Sequence, residues 1–370
     1  MYLKDLVDIQ MGQSPDSKFY NNDKIGLPFY QGKADFGRIS PIPKIWCSKS
    51  KKEAKPNDIL ISVRAPVGDL NINNEQSCIG RGLAAITCKS DVDMMYLYYH
   101  LKYLKPQLRH ISTGSTFESI NRSQLEKLII DYKPYLEQIK ISNILQVVQR
   151  QIEVREKLLR LYDLLIKSRF DEFNKNNNNV KVLKLEVLCT SIVRGPFGSA
   201  LKVENFVKKS DTSVKVYEQS NAIQRSAAIG SRYISREHYE SLRRFKCKPG
   251  DIIMSCSGTI GKLFILPNDA EEGIINQALC KFTLGKELLP EVFLLYMDIL
   301  IGNIETKGSG IKNISAVKFI KNLEIPVPPI GIQSKLLFEL NQINKLKSDV
   351  QRSIDETQLL MDSLMQEYFG

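Results

Sequence analysis

The chain has little of what catalysts and secreted proteins usually rely on. Its three histidines, His100, His110 and His238, show no metal-ligand spacing, and there is a single tryptophan. Seven cysteines, an odd number with no Cys-x-x-Cys pair, argue against a disulfide framework or a structural zinc site. His100 lies in an apolar helical stretch and reads as a packed or partly exposed residue, and Cys247 and Cys256 read as core thiols. No run of about 18 apolar residues occurs, so no transmembrane helix is expected. The opening MYLKDLVDIQMGQ lacks the basic and apolar regions of a signal peptide. The expectation is a reduced, cytoplasmic chain with no membrane association.

Catalytic motifs are also missing. No Gly-x-x-x-x-Gly-Lys-Ser/Thr phosphate loop occurs. The segment PVPPIG lacks the leading Asn and the aromatic of the Asn-Pro-Pro-aromatic motif of adenine methyltransferases. Pro15-Asp16 and Glu53-Ala54-Lys55 do spell a metal-dependent nuclease signature, but Glu53 falls opposite Lys246 in the repeat described below. No catalytic residue, metal ligand or cofactor is therefore assigned to this chain.

Positive charge is what the chain has in excess: 52 Lys+Arg against 41 Asp+Glu, net +11. Clustered cations gain affinity for polyanions by releasing condensed counterions, so a nucleic acid is a natural partner. A Lys- and Asn-rich composition alone can also raise the net charge.

The organising feature is an internal repeat. KPNDILISVRAPVGDLNI (Lys55 to Ile72) recurs as KPGDIIMSCSGTIGKLFI (Lys248 to Ile265), sharing Lys, Pro, Asp, Ile, Ser, Gly, Leu and Ile without a gap. CIGRGLAAITC then matches IINQALCKFTL, and STGSTFESINRSQLEKLII matches TKGSGIKNISAVKFIKNLEI. Pro134 and Gln138 fall opposite Pro329 and Gln333, and LLIKSRFDEF meets LLMDSLMQEY. Near the start of each copy, FYQGKA around Gln31 resembles VYEQSNA around Gln219. A period this long marks a duplicated domain, since solenoid units are much shorter.

Each copy predicts a globular α+β part followed by a long helix. DILISV and DIIMSC read as buried strands, each introduced by a Lys-Pro turn. The helices carry alternating steps of four and three, the heptad pattern of a coiled coil. The first seam runs through Ile141, Leu145, Val148, Ile152, Arg155, Leu159, Tyr162, Ile166, Arg169 and Phe173. The second runs through Leu336, Leu340, Ile343, Lys347, Val350, Ile354, Thr357, Met361, Leu364 and Tyr368. Arg155, Arg169, Lys347 and Thr357 break it. Packing of the two helices on each other, antiparallel, is the economical arrangement; the alternative is that each packs on its own globular domain. The expected segments are 1–134 and 180–329 as globular domains, 135–174 and 330–370 as helices, and an Asn-rich linker at 175–179.

These features together resemble the specificity subunit of type I restriction-modification systems. The resemblance rests on QMGQSPDSKFY, SIVRGPFGSALKVENF, KPGDIIMSCSGTIGK and GSGIKNISAVKFIKNLEIPVPP followed by Gln333, and it covers essentially the whole chain. The first copy departs from it where Lys-Pro replaces Pro-Pro. The resemblance implies two target recognition domains separated by an antiparallel helical spacer, reading an asymmetric, bipartite site on double-stranded DNA. It further implies two methyltransferase subunits and restriction subunits as partners, which would hold S-adenosylmethionine, ATP and Mg. A nuclease or methyltransferase fragment acting alone, or a protein-only coiled-coil scaffold, are the competing classes.

Base edges are read by Arg or Lys at guanine, Asn or Gln at adenine, and Ser or Thr at either. In the first copy such residues cluster at Gln13, Ser14, Ser17, Lys18, Gln31, Lys33, Arg38, Arg64, Arg81, Ser115 and Thr116. In the second they are Arg194, Ser199, Lys202, Gln219, Asn221, Arg225, Arg232, Ser257, Thr259, Asn276, Gln277, Lys307, Ser309 and Lys312. Arg64 stands opposite Ser257, and Gly80-Arg81 opposite Asn276-Gln277, on otherwise matching sequence.

Overall fold

A computed structural model describes residues 1–112, 118–175, 180–306 and 317–370. It divides into two compact units, Met1–Arg160 with Ser348–Gly370, and Leu161–Lys347. In unit one a four-stranded antiparallel sheet has the order Val7–Met11, Leu83–Cys88, Ile59–Ser62, Leu70–Ile72. A five-stranded sheet beside it has the order Tyr20–Asn21, Ile45–Cys47, Leu27–Tyr30, Ser77–Ile79, Glu53–Ala54, in which Leu27–Tyr30 and Ser77–Ile79 are parallel.

Unit two repeats both orders. Its first sheet is Cys189–Arg194, Leu279–Leu284, Ile252–Ser255, Leu263–Ile265. Its second is Phe206–Val207, Tyr233–Ser235, Ser213–Tyr217, Gly273–Ile275, Lys246–Cys247, with Ser213–Tyr217 parallel to Gly273–Ile275. The α+β reading of the sequence and the duplication both hold.

The residues shared by the two copies are the ones that build this frame. Ile59–Ser62 and Ile252–Ser255 are buried at every position, as a strand covered on both faces must be. The preceding turns place Asn57 and Gly250 at φ 70 and 85, the left-handed region that Asn and Gly tolerate. The shared aspartates close those turns. Asp58 accepts from the Lys55 amide at 2.7 Å and the Thr87 hydroxyl at 2.7 Å; Asp251 accepts from the Lys248 amide at 3.0 Å and the Thr283 hydroxyl at 2.6 Å. Gly68 and Gly261 both sit at φ +84 in the following turn.

Gln138 and Gln333 explain why a polar residue recurs in a buried place. Both are fully buried at the start of a long helix. Gln138 accepts from the Asp93 amide at 2.9 Å and donates to the Asp91 and Lys133 carbonyls at 3.2 and 2.7 Å. Gln333 accepts from the Leu289 amide at 2.9 Å and donates to the Glu287 and Pro328 carbonyls at 2.8 and 2.7 Å. Each thereby satisfies the backbone leading into the helix of its own globular part, Met94–Tyr103 or Pro290–Thr306.

The long helices are Tyr135–Lys175 and Ile330–Phe369, and they run antiparallel. In unit one Ile141, Leu145 and Val148 bury themselves with Met361, Met365 and Phe369 against Tyr96 and Tyr99. In unit two Tyr162, Ile166, Phe170 and Phe173 pack with Leu336, Leu340 and Ile343 on the core of that unit. The two alternatives for the seam are therefore combined: each helix end packs on globular residues and on the other helix. Midway, Ile152 is buried while Leu159, Val350 and Ile354 are half-buried.

The heptad expectation slips at the ends. Met365 and Phe369 are buried where the pattern placed Leu364 and Tyr368, which are only half-buried. An α-helix has 3.6 residues per turn, so a strict 3.5 pattern drifts, and Phe369 stacks on His100 at 4.6 Å, which fixes the last turn. Arg169 likewise points outward, paired with Glu172 at 3.0 Å, and Phe170 takes the inner place. Lys347 is accommodated by an ion pair with Asp163.

Two outcomes follow. Gln333→Leu leaves the Leu289 amide and two carbonyls buried without partners, so urea denaturation is expected to show a loss of about 2–4 kcal/mol; an unchanged midpoint contradicts the latch. Burial pushes the His100 imidazole down to about 4. The folded state therefore binds fewer protons than the unfolded one between about pH 6.5 and 4, and stability falls as pH falls through that window, by up to ~3 kcal/mol. Thermal melting from pH 7.5 to 4.5 should show this decline, and His100→Phe should flatten it.

Candidate nucleic-acid interface

In both units the candidate residues converge where the parallel strands end. The Gly80 amide donates to the Tyr30 carbonyl at 2.8 Å, and the Asn276 amide to the Tyr217 carbonyl at 3.0 Å. Gly80 and Asn276 thus occupy one position, and Arg81 and Gln277 the next. The edge strands cross at the same place: Gly12 donates to Leu83 at 2.9 Å and Gly195 to Leu279 at 2.9 Å. A Cβ on Gly12 would overlap the Gly80 carbonyl, and one on Gly195 the Asn276 carbonyl, so only glycine permits the crossing.

In unit one this crossing gathers Gln13, Ser14, Gln31, Arg64 and Arg81. The Gln13 amide donates to Ile79 at 3.0 Å, and the Arg81 amide to the Ser14 hydroxyl at 3.3 Å. Val63, before Arg64, donates to Gly82 at 2.9 Å, and a Cβ on Gly82 would overlap the Gln31 carbonyl. Gln13, Gln31, Arg64 and Arg81 are exposed.

Unit two gathers Arg194, Gln219, Ser257, Thr259, Asn276 and Gln277. Arg194 Nε donates to the Gln277 carbonyl at 3.4 Å, and its guanidinium lies 5.1 Å from the Phe197 ring. Cys256, before Ser257, donates to Ala278 at 2.7 Å. The Gln219 amide lies beside Gly258, and its Oε1 is buried without a hydrogen-bond partner. Strand register sets Tyr30 opposite Tyr217, so Gln31 stands opposite Glu218, and Gln219 is one residue further on.

Other candidates are placed differently. Asn221 is fully buried, accepting from the Glu218 amide at 2.8 Å and donating to the Ser226 and Ile229 carbonyls at 2.9 Å each; it is a framework residue, a correction its polar identity concealed. Arg38 turns to the long helix, 2.8 Å from Glu156 and 3.6 Å from Glu153. Arg232 pairs with Glu218 at 2.6 Å, and Lys202 with Glu204 at 3.3 Å. Lys18 lies over Phe19, and Arg225 is exposed at φ 50. Lys33 is held by Asp69 at 2.9 Å, together with Lys105 at 2.5 Å. Ser115, Thr116, Lys307, Ser309, Lys312 and the Ser199 side chain lie outside the described residues.

The nuclease spelling dissolves. Asp16 pairs with Lys51 at 2.9 Å, and Glu53 bonds to Ser50 and to Gln76, at 2.6 Å for the latter. Hydrogen bonds from Ser50 and Gln76 hold the Glu53 carboxyl below its usual range. Lys105, paired with Asp69, and Lys262, exposed at the matching loop, were not among the sequence candidates. The available signal was the sign change from Asp69 to Lys262 on an otherwise matching frame.

The chain is 45% identical over 150 residues to the putative type I restriction enzyme MjaX specificity subunit of Methanocaldococcus jannaschii, covering 40% of this chain and 35% of that protein. It is 28% identical over 222 residues to the type I restriction enzyme MjaIX specificity subunit of the same organism, covering 55% and 51%. The chain thus spans between about a third and half the length of these curated relatives. The crystal structure of a type I restriction-modification system S subunit from M. genitalium shares the fold, with a TM-score of 0.56 at 14% identity over 100% of this chain and 95% of that one. The family model for the type I restriction modification DNA specificity domain matches residues 1–160 and 202–356, and the chain belongs to that family.

Proposed function

We propose that this chain is a non-catalytic, sequence-specific DNA-recognition subunit of a type I restriction-modification complex. Each unit reads one half of an asymmetric, bipartite target in double-stranded DNA. One observation carries the reading: two copies of one frame present different side chains at the same crossing. Arg64 and Arg81 in unit one stand where Ser257 and Gln277 stand in unit two. Arginine suits guanine, whereas glutamine suits adenine, so the two half-sequences differ. The net charge of +11 supplies the sequence-independent attraction to phosphates.

The long helices suit protein partners. On Tyr135–Lys175 a second line of 3- and 4-residue steps runs through Ile144, Val147, Gln151, Val154, Leu158, Leu161 and Leu165. Ile144, Val147, Val154 and Leu161 are 43 to 58% exposed, an apolar stripe that water does not favour. Two methyltransferase subunits, joined by restriction subunits, are its occupants in this reading, and they hold S-adenosylmethionine, ATP and Mg. Among the described residues no helix is long and apolar enough to cross a membrane, and we place the complex in the cytoplasm.

Methylation mapping of genomic DNA tests this directly. With methyltransferase subunits and S-adenosylmethionine, adenine methylation of one split motif is expected only when this chain is present. Cleavage or methylation by the chain alone contradicts the reading. Arg64→Ala and Arg81→Ala are each expected to relax one half-site by roughly 1–3 kcal/mol of discrimination and to leave the other half intact. A uniform loss across sequences would instead make that arginine a phosphate contact.

A further inference from the structure

The loop after the buried strands Ile59–Ser62 and Ile252–Ser255 keeps its backbone in both units while its charge reverses. The Asp69 amide donates to the Ser62 hydroxyl at 2.9 Å, and the Lys262 amide to the Ser255 hydroxyl at 2.9 Å. Those hydroxyls donate to the Pro66 and Thr259 carbonyls at 2.7 and 2.6 Å. The return bonds also agree: Ser62 to the Asp69 carbonyl at 2.8 Å, and Ser255 to the Lys262 carbonyl at 2.9 Å. Asp69 and Lys262 therefore stand at one point of the frame. A Cβ on Gly68 would meet Lys105, and one on Gly261 would meet Ile301, which makes those two residues counterparts as well.

The surroundings compensate for the reversal. In unit one the Asp69 carboxylate is flanked by Lys33 at 2.9 Å and Lys105 at 2.5 Å. In unit two the lysine is at the backbone position itself and is exposed; burial raises the Asp298 carboxyl, and the charges of Arg225 and Lys262 both act on it in the opposite direction. Each unit thus sets one carboxylate against two cations here, and a net positive charge is reached by different routes. The turn itself does not require it, because the same hydrogen bonds form with either sign at this position. The charge also lies beside the variable crossing: Lys33 follows Gln31 by two residues, and Gly258 of the same loop abuts the Gln219 amide.

We propose that this loop is a backbone anchor that takes one DNA phosphate in each half-site. Lys262 is its cation in unit two, and the Lys33–Lys105 pair in unit one, with Asp69 as the positioning residue. The inference rests on the DNA-recognition reading above and adds to it a division of labour. The anchor fixes register without reading sequence, and its neighbours read sequence.

The test uses the full chain assembled with its methyltransferase subunits, and two duplexes of equal length. One carries the motif found by methylation mapping, and the other a scrambled sequence. Lys262→Ala is expected to weaken both duplexes by the same factor and to reduce the slope of log affinity against log salt by about one, with the methylated motif unchanged. The double variant Lys33→Ala, Lys105→Ala is expected to do the same. Adding Asp69→Lys to that double variant gives unit one the arrangement of unit two and should restore the slope. An unchanged slope in both variants, or a loss confined to the motif duplex, overturns the anchor. If the unmodified complex prefers neither duplex, the DNA-recognition reading fails and the anchor falls with it.

Discussion

A single buried glutamine in each unit carries the constraint on which the remaining structure depends. A long helix useful for holding a recognition surface in place must be rigidly joined to that surface. Gln138 and Gln333 make the joint by bonding three backbone groups each, inside the protein, where an unmade bond is expensive. Pro134 and Pro329 each sit four residues upstream and start the helices at matching places. The apolar contacts of Ile141 and Leu145, or of Leu336 and Leu340, follow from that fixed start.

Given the joint, the frame can be duplicated while its exposed corners diverge. The shared residues are those with a bond to make or a face to bury: Asp58 and Asp251, Ser62 and Ser255, Gly68 and Gly261. The divergent ones lie where the two parallel strands end and the edge strand crosses them. Such a place suits recognition because rigid backbone supplies the position and side chains alone supply the difference. The charge reversal between Asp69 and Lys262 shows the same economy, since a property is retained there although neither residue is.

Much of the fold was legible in the sequence, for physical reasons. DILISV and DIIMSC bury every residue, so their apolar runs could be nothing but covered strands or short helix segments, and the Lys-Pro turns decided between them. The helical seam was legible through its middle and slipped at Phe170 and Phe369, where aromatic contacts with Tyr296 and His100 set the last turns. Those contacts come from distant sequence and leave no local periodicity. The interface was legible as a set of residue types and only partly as a place. Gln31, Arg64 and Arg81 do converge, yet nothing local tells Arg38 from Arg81. That distinction depends on Glu153 and Glu156, more than a hundred residues further on. Asn221 looked like a reader because its amide is polar, and it is spent inside on its own loop.

Equal frames with unlike corners are proposed to read an asymmetric target. Exchanging residues 180–329 for a second copy of residues 1–134, with both helices retained, tests this most directly by mapping the methylated motif of the assembled complex. The expected motif is a split palindrome, built from the first half-site and its reverse complement. Methylation of the original asymmetric motif, or of one contiguous sequence, would contradict it.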